Sequence, residues 1–217
     1  MINLGAGTNT TGQNENTQQQ SHGAINLTKG AKINLTKEAP GLKKVIIGLG
    51  WQTQKYSGSA DFDLDASAFL VDKHGRTNED GFIFYGNLQY PNGSVVHQGD
   101  NKIGGDGISD DEQIVIDLDA IPENIEKVAI AITIYDYERR GQNFGMVDSA
   151  YCRLVNAETG KEEYRFNLGE DFSVETAVVV GEIYRYNGEW KFNTIGSGFD
   201  GGLIALCKNY GLDAEYK

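Results

Sequence analysis

TAVVVGEIYRYNGEWKFNTI, residues 176–195, reads as two β-strands joined by a tight turn. Its flanks are rich in β-branched and aromatic residues, which suit a pleated, half-buried surface. Asn187-Gly188 between them is a dipeptide that tolerates the positive φ angles of a two-residue hairpin turn. Runs of the same kind lie upstream: KKVIIGLGW (43–51), DFDLDASAFLV (61–71), GFIFYG (81–86), QIVIDL (113–118), KVAIAITIY (127–135) and AYCRLV (150–155). With 28 Gly against 3 Pro, turns between short elements are plentiful. So many strands and so little helical periodicity predict an all-β fold, a two-sheet antiparallel β-sandwich. One or two short helices are expected, at 120–125 and, near the C-terminus, at 201–210.

Just past the hairpin, GSGFDGG (196–202) has the outline of a dinucleotide-binding GxGxxG turn. The apolar segment after it is followed by too few residues for a second parallel strand, so a βαβ unit cannot close. The expectation is a glycine turn that docks the terminal helix on the sandwich. At the other end, residues 1–22 include the polar run NTTGQNENTQQQSHG and bury too little to offset the entropy of ordering, so they read as a flexible leader. Next, Ile25-Asn26-Leu27-Thr28-Lys29 is echoed by Ile33-Asn34-Leu35-Thr36-Lys37, which predicts a hairpin turning at Gly30. Residues 23–217 are then expected to form a single domain, long enough to bury a core without metals or disulfides.

The formal charge is −12. Most of it comes from Asp61, Asp63 and Asp65 and from the seven acids between Asp100 and Asp119. Such a surface repels phosphate backbones and anionic lipid, which argues against nucleic acid and against direct membrane insertion. It attracts cations. Cys152 and Cys207, with no CxxC pair, fit a reducing compartment and read as small buried residues. The absence of a signal-peptide pattern or a long apolar run makes the expected location cytoplasmic.

In DFDLD the period of two places Asp61, Asp63 and Asp65 on one strand face and Phe62 and Leu64 on the other. Three like charges on one face oppose folding unless something neutralises them, and a divalent cation would. GDNKIGGDGISDDE (99–112) carries five acids and four glycines. Hard cations take roughly 6 to 8 oxygen ligands, and glycine lets backbone carbonyls join carboxylates in the shell. The loop is not an EF-hand, because counting from Asp100 puts Lys102 at the third position and Asp111 at the twelfth. What remains is an irregular Gly/Asp loop that is either a solvated acidic loop or able to share an ion with the DFDLD strand; the second reading is preferred, and its carboxylates suit calcium better than magnesium.

Glycosidase-type chemistry would need one carboxyl in an apolar setting, which so hydrophilic a cluster argues against. His22, His74 and His97 are scattered, no nucleophile triad can be assembled, and His74 and His97 read as surface loop residues. Asp136, ending a strong strand, is weighed as a further cation ligand but reads better as a turn residue.

Beyond these readings, INLTKEAPGLKKVIIGLGW, DFDLDASAFLVD, FIFYGNL, HQGDN followed by DDEQI, QNFGMVDSAYCRLVN, GEDFSVETAVVVGEIYRYNGEWKF and GFDGGLIAL together resemble the TerD-type tellurium-resistance and general-stress family across residues 23–217. The resemblance implies a calcium-binding β-sandwich in cytoplasmic proteins linked to tellurite, oxidative and other stress. It implies no established reaction, so the protein is expected to be non-enzymatic and to act through other stress-response proteins of the same system. Ligands carried over by position are Asp63, Asp65, Asp100 and Asn101 first, then Asp110, Asp111 and Glu112. Asp61, Gly105 and Asp106 complete the expected set, and two calcium ions are expected. The competing expectations are a metal-dependent hydrolase using the same acids, and a cyclic-nucleotide-binding module.

Overall fold

The computed structural model describes residues 24–53, 62–99, 110–168 and 172–215. Its strands are β1 (Ile25–Leu27), β2 (Lys32–Asn34), β3 (Lys44–Thr53), β4 (Leu64–Asp72), β5 (Phe82–Ile83), β6 (Val95–His97), β7 (Glu112–Asp117), β8 (Ile125–Ile134), β9 (Val147–Asn156), β10 (Glu162–Leu168), β11 (Ala177–Tyr186) and β12 (Glu189–Phe199). They form two six-stranded sheets, in the orders β1-β10-β9-β3-β7-β6 and β2-β12-β11-β8-β4-β5. All pairings are antiparallel except that of β1 with β10. The expected two-sheet sandwich is therefore the observed fold.

Asn187-Gly188 makes the expected turn, both residues adopting positive φ (53° and 75°), and joins β11 to β12 in antiparallel register that runs unbroken from Gly181 and Thr194 to Tyr186 and Glu189. Between the sheets, alternate residues interdigitate: Ile47 and Leu49 of β3, Ala68 and Leu70 of β4, and Ile114 and Ile116 of β7 are almost fully buried. The second sheet buries its other face as well. Helix α3 (Gly202–Asn209) lies there, bringing Leu206 and Cys207, followed by Tyr210, onto Phe69, Ala129 and Ala131. That double burial explains why KVAIAITIY and SAFLV are continuous apolar runs rather than alternating ones. The glycine turn before α3 works as expected: Gly201 and Gly202 have φ of 108° and 58°, and both donate their N–H to Thr176 Oγ1 (3.1 and 2.9 Å). Both cysteines are buried and unpaired, and burial pushes their thiols up to about 12 for Cys152 and about 11 for Cys207.

Three expectations need correction. First, the INLTK echo is not a hairpin: β1 joins β10 in one sheet while β2 joins β12 in the other. The turn between them is held by Thr194 of β12, whose hydroxyl donates to Thr28 O (2.6 Å) and accepts from Ala31 N–H (2.9 Å). Each copy thereby gains a longer partner strand than the other copy offers, and Leu27 and Ile33 pack against the inter-sheet core. In the second copy Leu35 is already helical, opening α1 (Leu35–Glu38) with Asn34 as its cap. Second, residues 120–124 form turns rather than the start of a helix and Ile125 already opens β8, with Pro122 O accepting from Ile125 N–H at 3.0 Å. Third, His97 is not a surface loop residue but a strand residue of β6 with 2% of its surface exposed. His74 is exposed in a turn, as expected. The leader lies outside the described residues.

Candidate functional site

The pairings Leu49–Glu112, Thr53–Val147 and Leu64–Ile134 bring the end of β3, the starts of β4, β7 and β9, and the end of β8 to one end of the sandwich. The acid segments flank these strand ends. Of the ten expected ligand residues, Asp63, Asp65, Asp110, Asp111 and Glu112 are described, whereas Asp61, Asp100, Asn101, Gly105 and Asp106 lie outside the described residues.

Consecutive acids of the DDE triplet go in three directions. Asp110 turns onto the outer face of the first sheet, where its side chain is completely buried. Arg153 grips it with two bonds, Nε to Oδ1 at 2.6 Å and Nη2 to Oδ2 at 2.9 Å, and Tyr151 Oη (3.1 Å) and Gln113 Nε2 (2.8 Å) donate to the remaining lone pairs. This close seat exists because Gly48 has no side chain: a Cβ there would stand 2.1 Å from Asp110 Oδ2. Arg153 in turn donates to Glu162, which also accepts from Arg165, and the Arg165 guanidinium lies 4.1 Å from the centre of the Tyr151 ring. Burial and the Asp110 charge push the Tyr151 phenol up to about 12.

Asp111 continues the ladder between β7 and β3. Its N–H donates to Leu49 O (2.8 Å), and its Oδ2 accepts from Trp51 N–H (2.8 Å). Glu112 points inward with Ile114 and Ile116. Its Oε2 accepts from Ala66 N–H at 2.5 Å, on the edge of β4 that the two-residue β5 does not cover, and stands 3.2 Å from His97 Nε2. His97 Nδ1 accepts from Gly99 N–H (3.0 Å), so the ring proton sits on Nε2 and faces Glu112, off the line of a good hydrogen bond. The DDE segment is thus tied to DFDLD across the sandwich.

In DFDLD itself, Phe62 and Leu64 pack toward the core as the alternation predicts, and β4 begins at Leu64. Asp65 lies on the opposite face with 8% of its surface exposed. Asp63 precedes the strand and leaves 47% of its side chain exposed, with Arg140 Nη2 at 3.6 Å from its Oδ2 and its carbonyl accepting from Tyr135 N–H (2.8 Å). Asp136 is the turn residue the sequence favours: it takes a left-handed conformation (φ 52°) ahead of helix α2 (Tyr137–Arg140), and its Oδ2 accepts from Arg139 Nε at 2.5 Å.

Among the described residues no three His, Cys, Asp or Glu side chains converge on one point as a metal centre would require. The donor set is nevertheless of one chemical kind. Asp63, Asp65 and Asp111 offer carboxylate oxygen alone, with neither thiolate nor a free imidazole nitrogen lone pair beside them, which is the preference of a hard cation. A cationic side chain, Arg140, already stands against one of those carboxylates. Sequence reasoning missed the basic half of this region entirely: Arg153 lies in a run read only as a strand, Arg140 in a segment given no role, and their partners are 43 and 77 positions away. It also missed β10, although Tyr164, Phe166 and Leu168 alternate there.

Partial burial disfavours the Glu162 charge, but hydrogen bonds from Arg165 and Arg153 together outweigh it and hold the carboxyl below its ordinary value. A depressed carboxyl stabilises the fold above its unfolded pKa, and that contribution disappears as pH falls through the folded one. The stability gap between the protein and Glu162→Gln is therefore expected to be full at neutral pH and to close below the ordinary glutamate range, read from urea unfolding at stepped pH. A gap independent of pH would contradict it.

Fold and site together define a two-sheet β-sandwich with carboxylates gathered at one end. The TerD domain model matches residues 24–210, and the chain belongs to this family. It is 54% identical to general stress protein 16U of Bacillus subtilis (strain 168), over 87% of this chain and 97% of that protein. To the tellurium resistance protein TerD of Serratia marcescens it is 48% identical, over 88% and 100%. Among solved structures, a homologue of the telluride resistance protein TerD from Streptomyces coelicolor A3(2) superposes with a TM-score of 0.60 at 22% identity, over 77% of this chain and 95% of that one, and shares the fold. Among the described residues no helix is long and apolar enough to cross a membrane.

Proposed function

We propose that the protein is a non-enzymatic, calcium-binding stress-response module of the cytoplasm, acting in tellurite and oxidative stress through other proteins of the same system. The observation that carries this reading is the convergence of the two acid segments, through the bond from Ala66 N–H to Glu112, at strand ends adjoining the Gly/Asp-rich residues 100–109. Asp63, Asp65 and Asp111 are the described residues that would hold calcium. Asp110 and Glu112 serve it as anchors, since Arg153 saturates one and the β4 edge takes the other. When bound, the ion supplies positive charge that neutralises carboxylates crowded at the strand ends. Relatives named for tellurium resistance and general stress support the physiological half.

A ligand that binds the folded state alone stabilises it by about 2.7 kcal/mol at a hundredfold excess over Kd. For a chain of this size that corresponds to a rise in Tm of roughly 5–10 °C. Scanning calorimetry in chelator and then in excess calcium is expected to show this rise, with a smaller one for magnesium and a reduced one in Asp65→Asn. Identical melting curves with and without calcium would sink the reading.

A further inference from the structure

Arg140 is placed as if it were an ion already bound. Helix α2 is one turn long, starts from the left-handed Asp136 and stops at the left-handed Gly141 (φ 63°), so the position of Arg140 is fixed from both ends. Its side chain is only 16% exposed, although it lies on a short surface helix. The guanidinium carbon sits 5.4 Å from the centre of the Tyr135 ring, with Nη2 at 3.6 Å from Asp63 Oδ2 and Nε at 4.0 Å from Asp136 Oδ2. Tyr135 is bonded through its N–H to the Asp63 carbonyl, so ring, guanidinium and carboxylate form one unit.

We infer that Arg140 is a tethered counter-cation that occupies the Asp63 carboxylate in the ion-free protein and competes with calcium for it, thereby setting the affinity of the site. The inference rests on the calcium reading above. Its physical basis is that a guanidinium and a divalent ion on the same carboxylate repel each other and compete for its oxygen lone pairs, so each weakens the binding of the other. At 3.6 Å the pair is too long for a good hydrogen bond, and Asp63 is half exposed, so the contact is weak enough for a divalent ion to displace. In the ion-free state Arg140 offsets the repulsion between Asp63 and Asp136. After displacement the Tyr135 ring still offers the guanidinium a resting place.

Arg139 provides the control. It is next in sequence and carries the same charge, but among the described residues its ion pair is with Asp136 alone, and its side chain is 75% exposed. Calorimetric calcium titration of the full chain is therefore expected to show Arg140→Gln binding about two- to five-fold tighter than the unaltered protein, the range an exposed ion pair can contribute. Arg140→Lys, which keeps the charge, and Arg139→Gln should stay within measurement error of the unaltered protein. Equal or weaker binding by Arg140→Gln overturns the inference, because Arg140 would then only position Asp63. So does an equal gain in Arg139→Gln, since the effect would then be the general field. Calcium binding by none of the four proteins would remove the calcium reading itself, and this role of Arg140 with it.

Discussion

Replacing Arg153 with alanine is expected to lower the unfolding free energy by about 3 kcal/mol, the lower end of the cost of breaking a buried ion pair. The asymmetry of the pair sets that figure. Asp110 is wholly buried, so removing the guanidinium leaves a carboxylate inside the fold that, among the described residues, has Tyr151 and Gln113 to bind it. Those two neutral donors keep the loss from reaching the upper end, and the exposed quarter of Arg153 contributes little. Removing both partners together should cost less than the two single losses added, because no charge is then left unpaired. Gly48→Ala attacks the same contact from below, since its Cβ would displace the Asp110 carboxylate. Urea unfolding monitored by tryptophan fluorescence reads all of these, and a loss below about 1 kcal/mol for Arg153→Ala would mean the pair is not the anchor described.

The second large effect is expected for Glu112→Ala, at about 2–3 kcal/mol. Its Oε2 satisfies Ala66 N–H at the uncovered edge of β4, and a buried donor left without an acceptor carries its full desolvation penalty. Glu112→Gln keeps an acceptor of the same shape and should cost clearly less. A local readout separates this tie from general destabilisation: amide exchange at Ala66 should accelerate more than at Ala68, whose strand segment β5 covers. Equal acceleration at both would show that Glu112 acts on the whole sheet and not at that edge.

Both effects concern acids that the sequence flagged for one purpose and the fold uses for several. In DDE, all three residues read alike as candidate ligands. In three dimensions Asp110 belongs to Arg153, Asp111 to the Trp51 amide, and Glu112 to the edge of β4 and to His97. Nothing local distinguishes them, because each partner lies on another strand and the direction of each side chain is set by where β7 begins in its register with β3. The burial of His97 escapes sequence reading for the same reason: three residues of strand are too few to show alternation, and the inward direction of its side chain depends on the register of β6 with β7.

By itself the sequence determined the strands whose side chains alternate or run continuously apolar, the Asn187-Gly188 hairpin, the terminal helix on its glycine turn, and the presence of two acid segments, since these depend on local backbone preference and on the period of burial. The tertiary structure alone decided that the twin INLTK segments part company, one to each sheet, and which acid meets which base. Those outcomes turn on partners as far apart as Thr28 and Thr194, 166 positions along the chain, and on which strand edges are left open when the sheets close. Hydrogen bonds of that kind are satisfied by proximity in space, which no pattern within a single segment encodes.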